Sequence, residues 1–278
     1  MLKLVVQAPD KLPAFPPDSR VIISDPEGTP HAYGSRVGND CWVSVPNRGT
    51  FHFRPGLEFV TAEPDPQADE AAVLDAYRSA ALPMAVQVAL GSQALHASGV
   101  VASGLGVVAF CGLSQSGKST LAYGLSLRGY PIWADDVLAL DASDGESVRS
   151  LRLPFRLNLR AASVAHFDAA DTDVCSADDD AEAWTRVPLA AIFALERTRT
   201  STGRRESVRR LAPDDGLIAV LENAFFFQPQ TKDERRRMMR DYLEVIARVP
   251  VFALDVPPTL ETLDALLDEL EANIQADV

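Results

Sequence analysis

The stretch Val107-Val-Ala-Phe-Cys-Gly-Leu-Ser-Gln-Ser-Gly-Lys-Ser-Thr120, answered by the pair Asp135-Asp136, decides how the 278-residue chain is read. Residues 107–111 are β-branched, small or aromatic, as in a buried strand. Gly112 to Ser119 fit G-x-x-x-x-G-K-[ST] without a mismatch, and Leu121 to Leu125 continue with helical apolar spacing. Strand, loop and helix in that order are what phosphate binding needs. Backbone N–H groups wrap an anion only where glycines let the chain curl, and the helix N-terminus adds partial positive charge. Gly112, Ser114, Gln115, Ser116, Gly117, Lys118, Ser119 and Thr120 are therefore expected to hold a nucleotide. Lys118 would reach the β- and γ-phosphates, and the Ser119 hydroxyl would sit on Mg²⁺.

A phosphate loop alone does not separate transporters, GTPases and kinases. The acid does more, because a carboxylate must meet metal and phosphate from the end of a neighbouring strand. Asp135 and Asp136 follow Tyr130-Pro-Ile-Trp-Ala134, one strand after the loop helix. Neighbours on a strand point to opposite sides, so two roles are expected of them: one contacts Mg²⁺ while the other faces an incoming hydroxyl as general base. Arg156 and Arg160 lie near the catalytic face in chain order and are candidate phosphate or substrate contacts. The run Arg197, Arg199, Arg204, Arg205, Arg209 and Arg210 reads as a solvated hairpin with its tip at Thr202-Gly203, with a grip on a substrate carboxylate or phosphate as the alternative.

The order Leu95-His96-Ala-Ser98, a hairpin turning at Ser103 to Gly106, the loop, then Arg128-Gly-Tyr-Pro-Ile-Trp-Ala-Asp-Asp-Val137 is similar to the HPr kinase/phosphorylase catalytic domain and its kinase-like relatives. Those proteins share a core with ATP-dependent phosphoenolpyruvate carboxykinase. The resemblance is specific over residues 94–140 and looser to the C-terminus. It implies an α/β fold, a P-loop core of mixed β-sheet with flanking helices, and catalytic roles for His96, Lys118 and Asp135, with Ser119 and Asp136 at the metal. ATP and Mg²⁺ are the implied cofactors, a homo-oligomer the implied assembly, and a serine of a peptide or protein the implied acceptor. An E-x-R-G-x-G signature linked to phosphorolysis is absent between Leu153 and Arg197, which implies a kinase without phosphorylase activity. Pro154-Phe-Arg-Leu157 and Ile192-Phe-Ala-Leu-Glu-Arg197 look more like the branch found with peptide-modification pathways, including lasso peptide kinases. A small-molecule kinase and a nucleotide-gated binding module are the alternatives.

Composition bounds the rest. A hydrophobic fraction of 47% and a charged fraction of 23% are those of an ordinary folded protein, and a net charge of -13 argues against nucleic acid or anionic membrane as partner. Three widely spaced cysteines read as reduced thiols, and no apolar run approaches membrane-spanning length, so the expected location is the cytoplasm. Residues 1–62 read as a small β-rich module and 63–92 as a linker and helical connection, bent or restarted at Pro83. Residues 93–278 read as the catalytic domain. His31 and His52 read as surface or edge residues, and Phe225 to Phe227 as core. Asp171, Asp173 and Glu182 imitate a calcium loop. Cys175 and Ser176 stand where an oxygen ligand and the turn glycine are wanted, which excludes it.

Overall fold

A computed structural model describes residues 2–7, 12–24, 27–143, 145–169, 184–197, 207–227 and 231–277. The acidic stretch around Asp171 to Glu182, Cys175 included, and the arginines Arg199, Arg204 and Arg205 lie outside the described residues, as does the expected tip at Thr202-Gly203. The chain divides into two compact units, residues 1–94 with 225–237, and 95–224 with 238–278.

In the first unit, β1 (Lys3–Val6), β2 (Arg20–Ser24), β3 (Pro30–Val37), β4 (Asp40–Val45), β5 (Gly49–Phe53) and β6 (Phe59–Pro64) form a sheet in the order β1-β6-β5-β4-β3-β2. It is mixed: β1 runs parallel to β6, and the other neighbours are antiparallel. The helical connection follows the sequence closely. Asp69 accepts from the Ala72 N–H at 2.7 Å and starts α1 (Glu70–Ala76). A π-helical turn at Tyr77–Ala81 leads into α2 (Leu82–Leu90), which carries Pro83 in its first turn, where a missing N–H does no harm. His52 departs from expectation. It is buried against Trp42, with Nε2 2.6 Å from Asp40 Oδ1, because the paired carboxylate satisfies a ring that would otherwise need water. Of the three consecutive phenylalanines, Phe227 packs on Phe53 while Phe226 is exposed.

The division between units falls in β7 (Gln93–Leu95). The second unit is built on β8 (Ala97–Ala102), β9 (Gly106–Cys111), β10 (Ile132–Ala134), β11 (Leu138–Asp141), β12 (Arg149–Leu151), β13 (Arg186–Arg197), β14 (Val208–Arg210) and β15 (Val251–Val256). Its helices are α3 (Lys118–Ser126), α4 (Ala161–Phe167), α5 (Pro213–Glu222), α6 (Lys232–Arg248), which begins in the first unit, and α7 (Leu263–Asp277). From one edge the strands run β10-β8-β9-β13; β15 then pairs with the C-terminal half of β13, and β12 with its N-terminal end. The arginine-rich return strand is not the hairpin partner of β13. It crosses to β15, antiparallel, since β15 already occupies that edge of β13.

Strand alternation splits the core. Val108 and Phe110 of β9, Phe193 and Leu195 of β13, and Phe252 and Leu254 of β15 face α3 and α7. Val107, Ala109 and Cys111 turn to the other side, toward α5 and α6. Phe110, Phe193 and Phe252 stand in register across three strands, with neighbouring centroids 5.9 and 5.0 Å apart. Burial of each contributes about 2 kcal/mol. Cys41 and Cys111 are buried free thiols, pushed up to about 12 by desolvation. Among the described residues, no helix is long and apolar enough to cross a membrane.

Candidate functional site

Four strands of the second unit, β10, β9, β13 and β15, run parallel to one another, with β8 antiparallel between the first two. Their carboxyl ends therefore share one edge of the sheet. Onto that edge the chain delivers the Gly112–Ser119 loop after β9, Asp135 and Asp136 after β10, Arg197 at the end of β13 and Pro257 after β15. His96 sits there too, just before β8 begins. Open α/β sheets bind ligands at this edge. A cavity of about 420 Å³ occupies it, lined by loop residues Ser114 to Leu121, by His96, Asp136, Asn158, Arg160, Ser163 and Arg197, and by residues of the segment 256–263.

The loop is held open from within. A Cβ at Gly112 would come 2.8 Å from Ser116 Oγ and 3.1 Å from Leu195 Cβ, so only glycine fits where the strand ends. Gly117 starts α3 with no side-chain cap, which leaves the first-turn N–H groups to a ligand. The Ser116 hydroxyl is buried and has no hydrogen-bond partner among the described residues. Lys118 is also buried, and its Nζ donates to the carbonyls of Gly112 at 2.9 Å and Leu113 at 3.1 Å. Burial lowers its pKa, opposed by the charges of Asp136 and Asp135. A buried ammonium on two neutral carbonyls and an orphaned hydroxyl suit an incoming phosphate.

The two acids occupy different environments. β10 ends at Ala134, and the chain bends through Asp135 and Asp136, with the Val137 N–H bonded to the Asp135 carbonyl at 2.8 Å. Asp136 has φ 62°, a left-handed conformation uncommon outside glycine. The bend, rather than strand alternation, turns the neighbours apart. Asp135 is 4% exposed, and its Oδ1 accepts from Ser119 Oγ at 2.8 Å and Ser98 Oγ at 2.5 Å while Oδ2 accepts from the Asn158 N–H at 3.1 Å. Burial, and then the neighbouring Asp136 charge, push its pKa up to about 6 against those three hydrogen bonds. The Asp136 side chain is 45% exposed and lines the cavity, with Oδ1 3.8 Å from His96 Nε2.

The structure brings together the loop residues, His96, Asp135, Asp136 and Arg160. Arg156 is apart: it shares a face with Asn158 and Arg160, since Phe155, Leu157 and Leu159 alternate with them into a buried cluster, but it does not line the cavity. Sequence reasoning missed Ser98, which binds Asp135, and Ser163, whose Oγ is 2.9 Å from Thr120 Oγ1. It also favoured a solvated hairpin over a ligand contact for Arg197 and gave no role to the segment after β15. The signal for Arg197 was its spacing of two from Leu195, which puts both on the loop side of β13. Among the described residues, no group of three or more His, Cys, Asp or Glu is placed to hold a metal ion. Mg²⁺ in nucleotide sites asks for less, one or two protein oxygens with phosphates and water completing the shell, and Ser119 with Asp135 fits that demand.

No protein-family model matches the chain, and no curated protein matches it. A solved structure described as "Structure of the Hpr(Ser) kinase/phosphatase from Coxiella burnetii" is similar at a TM-score of 0.35 and 13% identity, over 66% of this chain and 96% of that one.

Proposed function

We propose that the chain is an ATP- and Mg²⁺-dependent kinase that moves a γ-phosphoryl group onto a hydroxyl, with a serine of a peptide or protein as the acceptor. One observation carries this reading: the Ser119–Asp135 hydrogen bond lies beside an open Asp136–His96 pair at the mouth of a phosphate loop. The sequence resemblance over residues 94–140 supports the same chemistry, and the looser pattern beyond it supports a peptide acceptor over a free metabolite.

The reading exchanges the roles first expected of the carboxylates. Both oxygens of Asp135 are engaged, one of them by the Ser119 hydroxyl, so Asp135 with Ser119 would hold Mg²⁺, which when bound neutralises charge on the β- and γ-phosphates. Asp136, open to the cavity, takes the proton of the acceptor hydroxyl as its oxygen bonds to the γ-phosphorus and the bond to the bridging oxygen breaks. ADP leaves with that electron pair. Lys118 gives up its carbonyl partners for phosphate oxygens and stabilises the charge that shifts between them. His96 borders Asp136, its Nε2 3.8 Å from the carboxylate.

The test is transfer of labelled γ-phosphate from Mg·ATP to a serine-peptide pool and to a metabolite pool. Wild type should label peptide, and Asp136→Asn should lose about 10²–10⁴ in rate while still binding nucleotide. An unchanged rate in Asp136→Asn removes the base assignment. Label in metabolites alone removes the peptide acceptor. Nucleotide binding with no transfer to either pool replaces the kinase by a nucleotide-gated module.

A further inference from the structure

We infer that the segment following β15, residues 256–263, is the seat of the nucleobase, and that it accepts adenine and guanine with little preference. This rests on the reading of the cavity as a nucleotide site and names the half of the nucleotide that the phosphate loop leaves unassigned.

Strand order supplies the direction. The groups at the reacting end, Asp136 and His96, belong to the ends of β10 and β8, on one flank of β9. Residues 256–263 follow β15, on the opposite flank with β13 between. A nucleotide whose terminal phosphate meets Asp136 must lead its base the other way. From β9 to β15 is two strand spacings, about 10 Å, the reach of a ribose with its inner phosphates. The segment also touches the loop at its helical end, since a Cβ at Gly117 would lie 3.6 Å from Val256 Cγ1.

The chemistry of the wall sets the selectivity. Val256 and Leu263 are buried in the core that faces α3, and Leu260 packs against it, which fixes an apolar floor. Pro257 and Pro258 stand on that floor and line the cavity. Two successive prolines remove two backbone N–H donors at the place where a purine edge would be read. Among the side chains of residues 256–260, only the Thr259 hydroxyl can donate or accept. Adenine and guanine share their faces and differ in their edge donors and acceptors. A wall that grips faces and, among the described residues of this segment, offers a single side-chain hydroxyl to the edge binds both, and such largely apolar sites discriminate by no more than about 10–200-fold, against about 10⁴ for a site with paired donors and acceptors.

Titration calorimetry in Mg²⁺ with ATP, GTP and tripolyphosphate tests this, on wild type, Leu260→Ala and the exposed Pro258→Ala. The expected result is ATP and GTP within about tenfold of each other, both at least about tenfold tighter than tripolyphosphate. Leu260→Ala should weaken both nucleotides about tenfold and leave tripolyphosphate unchanged, as expected for loss of one apolar contact. Pro258→Ala, at an exposed position, should act in the same direction and serves if Leu260→Ala melts early. An ATP to GTP ratio above about 200 overturns the lack of preference. Tripolyphosphate binding as tightly as ATP, or weakened equally by both variants, overturns the seat while the phosphate site stands. No binding of any of the three overturns the nucleotide reading itself.

Discussion

Replacing Asp135 by Asn should change how stability depends on pH, with a magnitude fixed by the site's own packing. Burial and the adjacent Asp136 raise the Asp135 pKa to about 6, from 3.8 for an unperturbed aspartate. A carboxyl whose folded pKa is raised binds more protons folded than unfolded, so its contribution is fully present below about pH 4 and lost as pH rises through about 6. At about 1.4 kcal/mol per pH unit, the separation amounts to about 3 kcal/mol, of which about 2.5 falls between about pH 4 and about pH 8. Asn at this position does not titrate. Carboxylates held low elsewhere, such as Asp40 by Arg54 and His52 and Asp141 by Ser143 and Arg186, are common to both proteins and cancel in the difference. Urea unfolding of ligand-free wild type and Asp135→Asn at matched pH therefore gives the quantity directly. The variant should gain about 2.5 kcal/mol on wild type across that range, most of it by about pH 6, whatever constant offset the amide introduces. A difference that is flat with pH, or one in which wild type gains as pH rises, would refute a buried carboxylate at Asp135 with a raised pKa.

Lys118→Ala should reduce phosphoryl transfer by more than about 10² while leaving the far-ultraviolet circular dichroism unchanged, because the lost ammonium serves the ligand and no core residue; normal turnover would sink the mechanism. Gly106→Ala should destabilise the second unit severely. Gly106 has φ 130°, and an added Cβ would meet the Pro188 carbonyl oxygen at 2.3 Å, backbone that cannot step aside, so the expected loss is about 3 kcal/mol or more by thermal melting. A melting point within a degree of wild type would show that β9 and β13 do not approach as described.

What the sequence made legible was local. The loop could be read because Gly112, Gly117, Lys118 and Ser119 stand at fixed offsets between an apolar strand and a helix, and the restart at Pro83 is equally local. The Thr231–Glu234 capping box, a pair three residues apart, is a local feature of the same kind: Thr231 Oγ1 accepts from the Glu234 N–H at 3.1 Å. What escaped depends on partners far along the chain. Asp135 and Asp136 differ because Ser98 and Asn158 converge on one of them, and because the other takes a left-handed conformation that bends the chain. The partner of β14 was set by competition for one edge of β13, and no property of the arginine-rich segment itself signals it. His52 is buried because Asp40 and Trp42 meet it across a strand pair, whereas periodicity alone left it at the surface.

The Lys118 ammonium, resting on the carbonyls of Gly112 and Leu113, makes the empty loop its own competitor. Any anion that enters must displace a tethered pair of acceptors, whose effective concentration stays fixed whatever the solution holds. A lone phosphate ion offers one exchange of partners and little surplus. On the proposed reading, a polyphosphate chain would engage Lys118, the Ser116 hydroxyl and the uncapped helix turn together, and so outweigh the resting contacts. The loop would thereby select for ligand length before any base or acceptor is recognised.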